Sequence, residues 1–233
     1  MDRTKRDKQI EYLGGFLTES RKEQIRDVLN LRTRRITVVL DDIHRPQNGS
    51  AVIRTCECLG IQSVHVVERD HKYKLNRAVL VGAGKWVDIH RYNHPKRDNA
   101  QMCIDELRAA GYRIVVTDPD PAGCTPSNLP LDQKTAIVFG SEKFGIGECM
   151  KAEADERLHI PMYGFTQSYN LSVSAAVVLT GVVERLRQSD LPWQLSDEEL
   201  ADLTHAWYKK CVRHPHKWER LMEAELDATP QPD

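Results

Sequence analysis

The sequence lacks any long run of apolar residues. The longest stretches, such as Val173 to Val183, are interrupted by serine, threonine and glycine. None approaches the roughly 18 uninterrupted apolar residues that a membrane-spanning helix requires. Met1 to Arg6 lead into a charged segment without an apolar core, which argues against a secretory signal. We therefore expect a protein that acts away from membranes.

Cysteines are too few and too scattered for a disulfide framework or a structural zinc site. The 233 residues contain six cysteines and no CxxC pair. Cys56 and Cys58 are two residues apart in an otherwise helical pattern, so their side chains would not face each other. We expect reduced thiols, a cytoplasmic protein and no bound metal.

The chain has no large excess of charge of either sign, since its formal net charge is −1. The basic residues are nevertheless concentrated at the two ends. Met1–Arg35 holds ten Lys or Arg residues against six Asp or Glu. Such ends are typical of phosphate-binding arms, although solvated helix faces would explain the same charges. The C-terminal basic cluster comprises Lys209, Lys210, Arg213, Lys217 and Arg220.

The phosphate-binding motifs of common nucleotide enzymes are also missing. Gly145-Ile146-Gly147 is followed by Glu148-Cys149-Met150, so it does not complete a GxGxxG pattern, and no GxxxxGK[ST] segment occurs. The sequence therefore argues against a dinucleotide-binding Rossmann domain and against a P-loop enzyme.

The chain does have the composition of a folded domain, with 40% hydrophobic and 29% charged residues. Short β-branched runs alternate with segments of helical spacing, which indicates an α/β domain with a mainly parallel sheet over residues 36–187. Residues 1–35 are predicted to form a basic helical extension. Residues 188–233 are predicted to form a linker and a helical C-terminal extension, and capping-box patterns begin at Ser20 and Ser196. The predicted strands are Ile36–Leu40, Val64–Val67, Val87–Tyr92, Tyr112–Thr117, Ala136–Phe139 and Leu158–Pro161, and the predicted helices between them are Ser50–Leu59, Ala100–Ala110, Gly145–Ala154 and Leu171–Arg187.

Two polar segments stand beside predicted buried strands and are candidates for a site. In Asn48–Cys56, Asn48 or Ser50 is placed to cap a helix and Arg54 to project from its first turns. A surface charge at Arg54 and a plain helix cap are the simpler alternatives. In Val138–Gly147, glycines follow a strand end, where a ligand can approach backbone amides. An ordinary tight turn is the alternative there.

A third polar segment runs from Ile160 to Ser174 and leads into a helix rich in small residues. Ser168 and Asn170 would lie at the N-terminus of that helix. Simple N-capping is the alternative explanation for both residues.

The three segments, in this order and on these elements, resemble the motifs of the SpoU-type (TrmH-like) 2′-O-ribose RNA methyltransferases of the SPOUT superfamily. Gly82-Ala83-Gly84-Lys85-Trp86 is similar to a further segment of that family. The resemblance covers about residues 36–187. The basic helical extensions look most like those of the branch that methylates guanosine 18 of tRNA.

The resemblance implies a sheet with helices on both faces, a deep C-terminal trefoil knot and a homodimer. The alanine and serine face of helix 171–187 is a candidate for the dimer interface, and plain core packing is the alternative. It also implies a knotted pocket for S-adenosylmethionine. By position, the residues expected to contact the cofactor are Thr117, Gly140, Ile160, Met162, Ser168, Tyr169 and Leu171.

The implied reaction transfers a methyl group to a ribose 2′-hydroxyl, which must be oriented, deprotonated and stabilised as an oxyanion. The catalytic arginine and asparagine of the family match Arg54 and Asn48, with Glu142, Ser168 and Asn170 as further site residues. Because a guanidinium does not readily lose its proton, Arg54 is expected to act as a cation. The expected partner is tRNA, with ribosomal RNA and a non-catalytic RNA-binding relative as alternatives.

Overall fold

The structure is a computed structural model that describes residues 3–141, 143–214, 218 and 221. The chain divides into two compact units, Thr33–Trp193 and the pair of segments Met1–Arg32 and Gln194–Asp233. The predicted division into residues 1–35, 36–187 and 188–233 stays a prediction. Within the described residues, no helix has both the length and the apolar character needed to cross a membrane.

The larger unit is built on one parallel six-stranded sheet, which confirms the predicted α/β class. The strands are β1 Ile36–Asp41, β2 Ser63–Val67, β3 Asp88–Tyr92, β4 Tyr112–Thr117, β5 Lys134–Gly140 and β6 Glu156–Leu158. Their order across the sheet is β3-β2-β1-β5-β4-β6, and every neighbouring pair is parallel. The helices of this unit are α3 Pro46–Leu59, α4 Arg77–Leu80, α5 Asn99–Ala109, α6 Glu148–Ala152 and α7 Leu171–Arg187.

Both faces of the sheet are buried, because alternate residues of the central strands point to opposite sides. In β1, Val38 and Leu40 belong to the hydrophobic cluster that includes α3 and α7. Val39 belongs to the cluster on the other face, which includes α5 and α6. This arrangement confirms helices on both faces, and the implied trefoil knot stays a prediction.

The described part of the smaller unit includes the helices α1 Arg3–Gly14, α2 Glu19–Leu29 and α8 Asp197–Cys211. The buried guanidinium of Arg6 in α1 pairs with Glu198 and, at 2.9 Å, with Asp202 of α8. Arg32 lies over the ring of the buried Trp207 at 5.2 Å. The two ends of the chain therefore contribute helices to one core.

Capping and strand patterns in the sequence predicted some helix and strand boundaries correctly and others incorrectly. Ser196 forms the predicted capping box with Glu199. The predicted cap at Ser20 is wrong, because Thr18 is the N-cap of α2 and its side chain accepts from the Arg21 N–H. Strand β6 ends at Leu158, where the sequence predicted a strand to begin, because the chain there leaves the sheet toward the cavity described next.

Candidate active site

A cavity of about 680 Å³ opens at the carboxyl edge of the sheet, beyond the ends of β1, β4, β5 and β6. Ligands of parallel α/β sheets bind at this edge, and the volume is in the range of small-molecule sites. All seven residues predicted to contact the cofactor lie in its lining. They are Thr117, Gly140, Ile160, Met162, Ser168, Tyr169 and Leu171.

The connection between β5 and α6 forms one wall of the cavity. Ser141 and Gly145 exchange backbone hydrogen bonds of 3.0 and 2.8 Å, which folds the chain back on itself. A Cβ atom at Gly140 would lie 2.4 Å from the Gly145 carbonyl carbon, so only glycine permits this close approach. The predicted site residue Glu142 belongs to this connection but lies outside the described residues.

Asp41, the last residue of β1, anchors the same wall from within the sheet. Its fully buried carboxylate accepts from the Gly147 N–H at 2.7 Å and from the Arg69 guanidinium at 3.2 and 3.3 Å. Burial raises the pKa of Asp41, although the hydrogen bonds from Gly147 and the cation of Arg69 oppose that rise. The sequence analysis did not single out Asp41, because a carboxylate at a strand end gives no local signal of its distant partners.

The opposite wall consists of the segment that leads into α7. Asn170 is the N-cap of this helix, and its side-chain oxygen accepts from the Ser172 N–H at 2.9 Å. Asn170 and Ser168 also line the cavity. Asn170 can therefore both cap the helix and belong to the site, because its capping side chain lies at the cavity wall.

Thr117 closes the cavity at the end of β4. Its hydroxyl donates to the Val138 carbonyl oxygen of β5 at 2.9 Å. Because the hydroxyl already has this partner, Thr117 shapes the cavity floor and holds two strand ends together.

The structure places the other two predicted site residues away from this cavity. Asn48 and Arg54 lie on α3, and neither belongs to the part of the cavity wall that the structure describes. The Arg54 side chain is exposed, with one guanidinium nitrogen 3.5 Å from the Val79 carbonyl oxygen. Neither Asn48 nor Ser50 caps the helix, because α3 already begins at Pro46, a residue suited to a first helical turn.

The first turn of α3 is held against the connection that follows β2. The hydroxyls of Ser50 and Tyr73 lie 2.9 Å apart, and the Asn76 N–H donates to Ser50 Oγ at the same distance. A Cβ at Gly49 would lie 2.7 Å from the Tyr73 ring, so a larger residue would push this turn away. These contacts fix the position of the neighbouring Asn48.

His44 lines the cavity, and the sequence analysis missed it. It lies three residues after the end of β1 and two residues before α3. The signal that was available is its position, because residues just beyond the carboxyl end of a central parallel strand face the ligand edge.

One group of side chains among the described residues has the composition of a metal site. His65, His90 and Glu106 place possible ligand atoms within 4.8 Å of one another. The two imidazole rings are stacked at 4.6 Å and 12°, which keeps their in-plane lone pairs side by side instead of converging on one ion. None of the three belongs to the cavity lining, and no metal is assigned to them.

The fold and the cavity define an α/β protein with a cofactor-sized site at the carboxyl edge of a parallel sheet. The sequence model of the SpoU rRNA Methylase family matches residues 35–180. The chain belongs to the SpoU methylase family, as the motifs predicted.

Individual relatives agree with this assignment. A tRNA (guanosine(18)-2′-O)-methyltransferase of Borreliella burgdorferi is 40% identical over 217 residues, which are 93% of this chain and 97% of that protein. The crystal structure of the Aquifex aeolicus TrmH/SpoU tRNA modifying enzyme is similar with a TM-score of 0.72 and 27% identity, covering 84% of this chain and 98% of that one. The SpoU methyltransferase AviRb of Streptomyces viridochromogenes, in complex with AdoMet, shares the fold at a TM-score of 0.55 and 24% identity, over 70% of this chain and 62% of that one.

Proposed function

We propose that this protein transfers a methyl group from S-adenosylmethionine to the 2′-hydroxyl of guanosine 18 in tRNA. The observation that carries the proposal is the Borreliella burgdorferi relative of that name, which aligns with nearly the whole of both chains at 40% identity. An alignment of 217 residues is longer than the 146 residues that the SpoU family model matches, so it extends beyond that domain. The same proposal places the protein in the cytoplasm, which accords with its six free cysteines.

The cavity suits S-adenosylmethionine in size and in the chemistry of its walls. Ile160, Met162 and Leu171 offer apolar surface to an adenine ring. Thr117 and Gly140 bring strand-end backbone groups to the cavity, and Ser168 and Tyr169 add hydroxyls. When bound, the cofactor supplies a methyl group on a positively charged sulfur.

A binding experiment tests the cofactor without requiring turnover. We expect isothermal titration of the protein with S-adenosylmethionine to show binding in excess EDTA, because the residues proposed to contact the cofactor offer backbone groups, apolar side chains and hydroxyls. Loss of that binding on chelation would contradict a metal-free site.

Arg54 and Asn48 are proposed to act on the RNA. A planar guanidinium can hold a phosphate through two parallel charge-assisted hydrogen bonds and can stabilise the oxyanion that forms at the 2′-oxygen. Asn48, Glu142, Ser168 and Asn170 complete the proposed site. Arg54 lies outside the described lining of the cavity in its own chain. We therefore propose that each cavity of a dimer receives the Arg54 side chain of the other copy of the chain.

An exposed apolar surface at and just before α7 supports a homodimer. Val173 and Val177 lie four residues apart in α7, so they share one face of the helix, and Tyr169 lies two residues before the helix begins. Each of the three is more than 40% exposed. Tyr163 and Phe165, on the loop that lines the cavity, are almost fully exposed. Light scattering should give a dimer mass for the wild type and a monomer mass for Val173→Glu/Val177→Glu, whereas Glu184→Gln, at the far end of α7, should remain dimeric.

Mixing two inactive variants tests whether Arg54 acts across the dimer. Arg54→Ala and Asn170→Ala are each expected to lose activity as homodimers. If Arg54 serves the partner's cavity, an equal mixture should regain about a quarter of wild-type activity, because half of the dimers would hold one intact site. No recovery after subunit exchange would place Arg54 in its own chain's site.

Mass spectrometry of modified nucleosides tests the substrate. Deleting the gene should remove 2′-O-methylguanosine from position 18 of tRNA, and purified protein should restore it to unmodified transcripts. Loss from ribosomal RNA alone would favour the ribosomal alternative, and no change in either RNA would favour the non-catalytic one.

A further inference from the structure

His44 lies in the connection between β1 and α3, which the carboxylate of Asp42 anchors. The preceding Asp42 has a left-handed backbone conformation with φ of 53°. One oxygen of its carboxylate accepts the backbone N–H groups of Arg69, Asp70 and His71, at 2.9, 3.0 and 3.0 Å. Burial works to raise the pKa of Asp42, but the hydrogen bonds from Arg69 and His71 lower it overall. The carboxylate therefore stays charged and ties the end of β1 to the end of β2.

The same carboxylate orients a second imidazole against His44. The other oxygen of Asp42 lies 2.9 Å from Nδ1 of His71. The His71 ring packs edge-on against the His44 ring, with 4.7 Å between centroids and 76° between planes. His44 is thus an exposed residue of the cavity lining, and the His71 ring packs against its imidazole.

The other titratable groups that face the cavity are poorly suited to take a proton from an alcohol. Arginine and lysine side chains have no acceptor when charged, and a phenol keeps its proton at neutral pH. The Asp118 carboxylate already accepts from the Asp120 N–H at 2.9 Å and lies 4.0 Å from Arg157. Imidazole is the side chain that exchanges protons near neutral pH. The charged or titratable groups of the described cavity wall, besides His44, are Arg45, Asp118, Lys143 and Tyr169.

We propose that His44 accepts the proton of the ribose 2′-hydroxyl, an inference that rests on the methyl-transfer function proposed above. As the 2′-oxygen forms its bond to the methyl carbon, the O–H proton passes to a ring nitrogen of His44. The electron pair of the broken carbon–sulfur bond stays on sulfur, and His44 later returns the proton to water. Arg54 then stabilises the developing oxyanion without losing a proton of its own.

Single-turnover rates across pH test this role. The wild-type rate should rise with pH to a plateau, because only the unprotonated ring can act as a base. His44→Gln should be slower by about 10²–10⁴-fold and should lack that inflection. Its affinity for S-adenosylmethionine and its melting temperature should stay at wild-type values. His90→Gln, which changes a histidine outside the cavity lining, should keep both the rate and the pH profile.

Chemical rescue separates a proton acceptor from a structural residue. In His44→Ala, added imidazole should restore turnover in proportion to its concentration, because a small base can enter the vacated space. A residue that only supports the fold would not be replaced in this way. Absence of rescue together with weakened cofactor binding would overturn the proposal.

A measurement without cofactor tests whether RNA reaches His44. Diethyl pyrocarbonate carbethoxylates accessible histidines, and mass spectrometry measures the rate at each one. The tRNA transcript should slow the reaction at His44 and should not slow it at the exposed His94. Equal reactivity of His44 with and without RNA would count against the proposal.

These experiments distinguish a failure of the proposed methyl-transfer function from a failure of the proposed role of His44. If the wild type methylates no tRNA, the proposed function fails and the role of His44 fails with it. If the wild type is active but His44→Gln stays within a few-fold and keeps its inflection, only the role of His44 is overturned. A selective loss of the inflection in Glu142→Gln would assign the proton to Glu142 instead.

Discussion

Arg54 combines a side chain suited to catalysis with a position on the solvent-exposed side of α3. If it stabilises the oxyanion, Arg54→Ala should lower kcat by about 10²–10³-fold, the usual cost of losing one preorganised donor. Arg54→Lys should recover little, because a point charge cannot reproduce the planar guanidinium. Single-turnover methylation of saturating tRNA measures both effects.

The matched control for Arg54 is another exposed arginine of the same unit. Arg97→Ala should keep turnover within a few-fold, and all three variants should keep the wild-type melting temperature. Wild-type turnover in Arg54→Ala would remove Arg54 from the mechanism.

His65 should make the stability of the fold depend on pH. Burial lowers the pKa of His65 to about 3, and the neighbouring His90 acts in the same direction. The unfolded chain takes up this proton near pH 6.5, so the contribution of His65 is complete above that pH. It should be lost, by about 1 kcal/mol per unit, as the pH falls from 6.5 toward 3.

Thermal melts at pH 7.5 and pH 5.5 check the effect of His65. His65→Gln keeps a hydrogen-bonding group near Tyr92, whose hydroxyl lies 2.9 Å from His65 Nδ1. It should lose less stability on acidification than the wild type. His94→Gln, an exposed substitution, should follow the wild type, and parallel slopes in all three proteins would contradict the prediction.

At the scale of elements, the connection from β5 to α6 is shaped by glycine and held by Asp41. Gly140→Ala would force a Cβ into the Gly145 backbone, so the wall of the cavity must shift. Overpacking of this kind costs about 1–3 kcal/mol, which would correspond to a loss of about five- to 150-fold if all of it appeared in cofactor affinity. Titration calorimetry with S-adenosylmethionine should show this loss in Gly140→Ala.

Gly164 provides the comparison for Gly140, because it lies on the opposite wall segment and a Cβ there meets nothing within 4 Å. Gly164→Ala should bind the cofactor as the wild type does. Equal affinities in the two variants would mean that the tight approach at Gly140 does not shape the site.

At the scale of the whole molecule, the two ends of the chain share one helical unit with basic side chains. Changing Lys209, Lys210 and Arg213 together to glutamine should weaken tRNA binding. Each lost phosphate contact should also reduce the slope of log affinity against log salt by about 0.7–0.9. Affinity measured across salt concentrations tests this prediction.

The control for the basic cluster is a pair of exposed cations in the larger unit. Lys96→Gln/Arg97→Gln should leave the affinity and the salt slope unchanged. If the triple variant also has wild-type affinity and salt slope, these basic residues form a solvated helix face that does not contact tRNA.

Most elements of the larger unit could be predicted because their signals are local. Strand β4 and helix α7 have the predicted bounds, Tyr112–Thr117 and Leu171–Arg187. Gly111 follows α5 with φ of 81°, a conformation that glycine adopts without strain. The start of α3 was missed because its N-cap, Arg45, makes no side-chain capping hydrogen bond, and the signal that Pro46 gives for a first helical turn was overlooked.

The candidate site was predictable only in part. Ser168 and Asn170 belong to a recognisable motif, and the structure places both at the cavity. The support that Asp41 gives to Gly147 spans more than one hundred residues, so no local pattern predicts it. His44 was overlooked although its position just beyond a central parallel strand was a usable signal, whereas the other strand ends that complete the cavity around it are not visible in the local sequence.

Hydrophobic periodicity, glycine positions and helix caps are properties of neighbouring residues, so the chain alone predicted an α/β domain, its motifs and its family. The order of the strands, the shared core of the two terminal segments and the exposure of Arg54 are decided by long-range packing. The central strands β1 and β2 bury both faces, and many strand pairings would satisfy the same local pattern. Only the folded arrangement selects one of them, and with it the side chains that meet at the cavity.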